Sequence, residues 1–169
     1  ERTAIVEWYV TSKGIHALTV THQGPHPIPV STASNAVAAL GDLTREYLID
    51  YYGDDTHWRQ ALPSYLQQLA EILELETLLS QIPAHCQQLI LVPYRHLHLF
   101  PLHALPLAHG GYLGDRFPQG IRYAPSSQIL QISLQEAKGQ EAKGKGQSEE
   151  SLQPGIREDA KVLFAIQNP

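Results

Sequence analysis

Leu89-Ile90-Leu91-Val92-Pro93-Tyr94-Arg95-His96-Leu97-His98-Leu99-Phe100-Pro101-Leu102-His103-Ala104-Leu105-Pro106-Leu107 is the stretch whose reading decides the fold. It opens with four branched apolar residues in succession, the pattern of a strand buried on both faces of a parallel sheet. Pro93 ends that run, because proline has no N–H for the ladder of a central strand. His96, His98 and Phe100 then alternate with Leu97 and Leu99, which predicts a second extended piece with two unlike faces. Pro101 breaks it, and Leu102–Leu107 is a short apolar return between prolines. Core strand, turn and return form one packing unit that the other segments have to cover.

Upstream, Thr3–Val10 and Ile15–Thr21 are rich in β-branched and aromatic residues, with Thr11-Ser12-Lys13-Gly14 between them. Four turn-prone residues, one a glycine available for positive φ, predict an antiparallel hairpin. Gln23–Pro29 carries three prolines and a glycine, which predicts an irregular connection into a short edge segment at Ile28–Val30. Ser31, Thr32 or Ser34 is placed to cap a helix running to about Tyr52. Its apolar stripe is Val37, Leu40, Leu43, Tyr47, Leu48 and Tyr51, recurring at three and four. Gly53-Asp54-Asp55-Thr56 ends that helix and offers the next cap. A second helical region from Trp58 buries Leu62, Tyr65, Leu66, Leu69, Ile72 and Leu73, and Pro63 is expected to kink it or restart it. Leu75–Ile82 adds a short helical turn before Pro83. Helix, helix, buried strand is an α/β order.

Downstream, Gly110-Gly111 predicts a turn, and Tyr112–Leu113 and Ile121–Tyr123 are short strand candidates. Ser126 is the cap of a helix that buries Ile129, Leu130, Ile132 and Leu134 on one side. Lys138–Gln153 is charged, glycine-containing and nearly free of apolar residues, so it is expected to be a flexible connector. Val162–Ile166 then reads as the start of another core strand.

The 169 residues are enough for one domain with its own core. No apolar run approaches the ~20 residues that span a bilayer. A net charge of -5 makes a poor footprint for nucleic acid or an anionic membrane. One cysteine leaves no internal disulfide and fits a reducing compartment, so a cytoplasmic location is expected. With no methionine and a strand-like run at its end, the chain reads as a piece of something longer.

Several residue groups invite chemistry. His96, His98, His103 and His109 fall close together, and two of them would share a strand face, but no metal-ligand spacing accompanies them; hydrogen-bonded or structural histidines are the expectation. Cys86 lies beside His85 in sequence, yet neighbouring side chains on an extended chain point apart, which leaves the thiol without a base. Ser126-Ser127 lacks the glycines of a nucleophile elbow and is read as capping. Asp54-Asp55 is read as a helix boundary, and Asp115 with Arg116 as a loop salt bridge. Glu149-Glu150 belongs to the solvated connector. Gly110-Gly111 and Gly114 have no accompanying Lys-Ser/Thr and make no phosphate loop.

LILVPYRHLHLFPLHALPL (89–107), GGYLGDRF (110–117) and IRYAPSSQIL (121–130) together resemble the first half of a CHAT domain, the caspase-like domain found with tetratricopeptide repeats. The likeness runs in order from about Thr3 to Pro169 with one divergent insert. It implies an α/β fold: an N-terminal β-hairpin, amphipathic helices, then a mostly buried caspase-like sheet layer. It divides the chain into an N-terminal scaffold part (1–137), a variable connector (138–156) and the first strand of a protease part (157–169). The family's catalytic His-Gly and nucleophilic cysteine lie further downstream, so no residue here is expected to be catalytic, cofactor-binding or metal-ligating. The partners implied are the C-terminal protease half, a tetratricopeptide-repeat region and a protein substrate, with self-association through 162–166.

Overall fold

The computed structural model describes residues 2–22, 28–32, 35–133 and 135. Five strands, β1 (Thr3–Thr11), β2 (Gly14–Thr21), β3 (Ile28–Ser31), β4 (Gln88–Val92) and β5 (Ile121–Tyr123), form one sheet in the order β3-β2-β1-β4-β5. β1 pairs antiparallel with β2 and parallel with β4, and β4 pairs parallel with β5. The β1–β2 hairpin and the edge position of β3 agree with the sequence reading. Gln23–Pro27 lies outside the described residues.

The decisive stretch does supply the core strand. Leu89, Ile90, Leu91 and Val92 are all buried, because β4 has a strand on either side and packing on both faces. β1 is its counterpart, buried continuously from Thr3 to Trp8. Alternation then divides the side chains. Ala4, Val6, Trp8, Leu89 and Leu91 face the helices, while Ile5, Val20, Ile90 and Val92 form a smaller cluster on the opposite face with Ala124, against which Leu130 packs.

Between β3 and β4 the chain makes the crossover through α1 (Asn35–Gly53), α2 (Asp55–Ile72) and α3 (Leu75–Ser80). Buried Leu40, Leu43 and Tyr47 of α1 and Tyr65, Leu66 and Leu69 of α2 are the stripes read from the sequence, although Tyr51 stays half exposed. The Asp54 carboxylate accepts from the backbone N–H groups of Thr56 (2.9 Å) and His57 (3.2 Å), capping α2 as expected. Pro63 neither ends nor restarts a helix, and α2 runs through it as one element.

Three expectations are corrected. The 96–100 segment is a 3₁₀ helix, Arg95–Leu99, not an extended piece. Its buried side chains are Leu97 and Phe100, three apart, as a three-residue turn requires, while Leu99 is 43% exposed. Tyr112–Leu113 is not a strand: Tyr112 makes one bridge to Pro106, and Leu113 begins a 3₁₀ turn, Leu113–Arg116. Gly14 does not use positive φ; it is small because a Cβ there would lie 2.9 Å from the Thr32 carbonyl oxygen. Thr32 itself holds the hairpin, its hydroxyl accepting from Ile15 N–H at 3.1 Å.

Ser126 caps the helical stretch over 127–133, its hydroxyl accepting from Ile129 N–H at 3.2 Å. The expected connector at 138–156 and the expected strand at 162–166 lie outside the described residues.

Candidate functional site at the carboxyl ends of the parallel strands

β1 and β4 lie side by side and parallel, but the chain leaves them in opposite directions, from β1 to β2 on one flank and from β4 on toward β5 on the other. Ligands of open α/β sheets bind outside the carboxyl ends of the parallel strands, and here β1 turns back through its hairpin while β4 runs on toward β5. β4 stops at Val92 opposite Glu7, whereas β1 continues to Thr11, so the chain after β4 runs beside the end of β1. There the Tyr9 and Tyr94 rings lie 6.0 Å apart at 39°. The guanidinium of Arg95 covers the Tyr94 ring at 5.3 Å. Arg95 holds φ +49°, the left-handed region that costs a residue with a Cβ about 1–2 kcal/mol. Burial and then the carboxylate of buried Glu7 push the Tyr9 phenol up to about 12.

A second constellation stands at the end of β5. The Tyr123 hydroxyl accepts the backbone N–H of His103 at 2.9 Å and lies 3.0 Å from its Nδ1. Burial raises the Tyr123 phenol above its ordinary value. The phenol thus meets both the backbone N–H and the Nδ1 of His103.

The residues singled out from the sequence are scattered by the fold. His96 and His98 fall two apart on a three-residue turn, so they share no face; the expected strand geometry does not exist. Among the described residues no three His, Cys, Asp or Glu side chains gather in a way that holds a metal. Cys86 is buried among the core side chains at the amino end of β4, and His85 beside it is exposed. Burial pushes its thiol up, away from the reactive thiolate. Asp115 and Arg116 do not pair: the Asp115 carboxylate accepts Tyr112 N–H at 2.8 Å, and Arg116 donates to the carbonyls of Leu79 and Ile82, both at 3.0 Å. The carbonyls closing α3 lack intrahelical donors, and the Arg116 guanidinium supplies them. Asp55 instead pairs with Arg59 along α2, and Glu149-Glu150 lies outside the described residues. Gly110 and Gly111, at φ +90° and +78°, form the expected turn.

Glu7, Tyr9, Tyr94, Arg95 and Tyr123 had no motif to announce them. The one sequence signal was position: Tyr9, Tyr94, Arg95 and Tyr123 fall at the end of a predicted strand or just past one, while Glu7 sits inside the first.

The fold is that of an α/β domain with a parallel core that keeps polar groups at its strand ends. A CHAT domain family model matches residues 63–166, more than half of the chain. The chain belongs to the CHAT family, a caspase-like domain. The match begins within α2, so β1, β2, β3 and α1 precede it, yet β1 is the strand against which β4 is laid. No curated protein matches the chain. No helix among the described residues is long and apolar enough to cross a membrane.

Proposed function

We propose that residues 1–137 are the non-catalytic scaffold of a caspase-like cysteine peptidase domain, the layer on which its protease half is assembled. The observation that carries this reading is β5. It is a three-residue parallel strand at the margin of the sheet, its outer edge unpaired among the described residues, while the family match runs on to residue 166. An edge of unpaired N–H and C=O groups on a parallel sheet is a template for a further strand. Val162–Ile166, which lies outside the described residues, is the segment proposed to pair there, and the chain is proposed to bind its protease half, or itself, through that segment. The thiol of Cys86, buried in the core and pushed up by that burial, supports a scaffold over a catalytic role. In the assembled domain a downstream cysteine attacks the peptide carbonyl, histidine acts as general base, and an acyl-enzyme is hydrolysed.

A second reading, a relay between tetratricopeptide repeats and the rest of the domain without peptidase activity, is favoured by α1. Its outer side leaves Ile49, Tyr51 and Tyr52 exposed, Tyr52 by 81%, and large exposed apolar groups of this kind mark protein contacts.

One experiment separates the readings: peptide hydrolysis by this chain against the same chain extended downstream through the His-Gly and cysteine segments. Activity in the extended form alone supports the scaffold. Activity in this chain that is lost on Cys86→Ala overturns it, and an inert extended form moves the relay reading forward.

A further inference from the structure

We propose that the groove between the α2–α3 junction and the hydrophobic return after β4 is a docking site for a basic segment of a partner polypeptide. It takes lysine or arginine side chains, and its role is binding, separate from peptide hydrolysis.

Three observations converge on it. The first is shape. A mostly apolar groove of about 400 Å³ opens between Glu71, Glu74, Leu75 and Glu76 on one side and Pro106 and Leu107 on the other. Its walls are tied together, because the Glu76 carboxylate accepts the Ala108 backbone N–H at 2.8 Å. The groove is therefore formed before any partner arrives, and less freedom is lost on binding. The second is charge. Three carboxylates border the groove, and no lysine, arginine or histidine does. Among the described residues none of the three pairs with a cation, whereas Asp42 and Asp55 have Arg45 and Arg59. Glu71 accepts only from the neutral amide of Gln67, 2.9 Å away. The third is the helix end. Glu71 stands in the last turn of α2, which holds no basic residue. The negative end of the helix dipole falls there, so it adds to the pull of the carboxylates on a cation.

These features select the occupant. An apolar floor with a carboxylate rim matches a side chain with a hydrocarbon stem and a cationic head, which is lysine or arginine. A bare metal ion fits less well: among the described residues no three His, Cys, Asp or Glu side chains gather in a way that holds one. Charges spread along a groove suit cations spaced along a chain.

The test is an NMR titration of the isotope-labelled chain with three peptides of one leucine-containing framework, carrying two lysines, two arginines or two acetyl-lysines. Saturable shifts are expected at the backbone amides of residues 71–77 and 107–108 with the lysine or the arginine peptide. They are expected to weaken as salt is raised, and to be at least tenfold weaker with acetyl-lysine, which keeps the stem and loses the charge. The paired variant joins Glu71→Gln to Glu74→Gln and leaves the Glu76 tie to Ala108 in place. It should melt with the parent, since Glu71 is exposed and Glu74 half-buried, and lose at least tenfold in affinity. Glu71→Gln alone gives the same reading with a smaller loss, and Asp42→Asn on α1 should bind as the parent does. Equal response to the lysine and acetyl-lysine peptides, shifts centred elsewhere, or full affinity in the double variant overturns the proposal. So do shifts of these amides with chain concentration alone, which assign the groove to a second copy.

Discussion

The Tyr123 hydroxyl closes on His103 twice, at 2.9 Å from its backbone nitrogen and 3.0 Å from Nδ1, and so ties the margin strand β5 to the 3₁₀ turn at Leu102–Ala104. Both groups lie in the hydrophobic return after the core strand, so one phenol fixes where that return sits. Tyr123→Phe is expected to cost about 0.5–1.5 kcal/mol, read from the denaturant midpoint. It is also expected to move the His103 Nδ1 and backbone amide resonances in nitrogen NMR, and unchanged resonances contradict the contact.

Arg116 serves as the donor for the end of α3, reaching Leu79 and Ile82 carbonyls at 3.0 Å each. Arg116→Met keeps much of the stem and removes both charged hydrogen bonds. A loss of about 1.5–3 kcal/mol is expected in thermal or denaturant unfolding. A variant as stable as the parent shows that water satisfies those carbonyls equally well.

Gly14→Ala tests the close approach at the hairpin. The added Cβ would stand 2.9 Å from the Thr32 backbone oxygen, and backbone on both sides leaves little to yield. The expected cost is about 1–3 kcal/mol, the range for forcing extra volume into a packed site. Amide shifts should be concentrated at residues 14–16 and 30–32.

Two phenols make the alkaline limb of stability predictable. Tyr9 is pushed up to about 12 by burial first and Glu7 second. Tyr65 is also pushed up to about 12, first by its hydrogen bond to the Asp50 carboxylate and then by burial. A folded-state value above the unfolded one means that folding favours the neutral phenol. The contribution is therefore complete below about pH 10 and is lost as pH rises toward about 12. Phenolate absorbance of the folded chain should lag behind that of the unfolded chain over this window. Tyr65→Phe should flatten part of the fall in unfolding free energy, and an unchanged profile counts against the Asp50 bond.

Cys86 should behave as a core thiol. Thiol reagents are expected to label it slowly in the folded chain and rapidly in denaturant, since burial holds the thiolate back. Folded-state labelling as fast as that of a free cysteine overturns its placement in the core.

Much of the fold was legible from the chain itself, for a local reason. Leu89–Val92, the Thr3–Thr21 hairpin and the α1 and α2 stripes have periodicities that admit one buried arrangement each. Capping by Asp54 and Ser126 was equally local, because the donor groups lie two or three residues away. Where two periods fit one stretch, the sequence misled. His96–Phe100 alternates as a strand does, but Leu97 and Phe100 are also three apart, and packing under Tyr47 selected the 3₁₀ turn. Arg116 shows the same limit at longer range, since its carbonyl partners are more than thirty residues away in the chain.

What the sequence by itself determined was the family, the α/β class and the core strand, because these rest on order and pattern along the chain. The grouping at the ends of β1 and β4 was decided by tertiary structure alone. Tyr9 and Tyr94 are 85 positions apart and meet only because β4 is laid parallel to β1 in one register. No local rule assigns Arg95 a left-handed backbone. It is set where a strand end, a proline and a 3₁₀ turn have to be joined within a few residues, and that demand exists only once the sheet has formed.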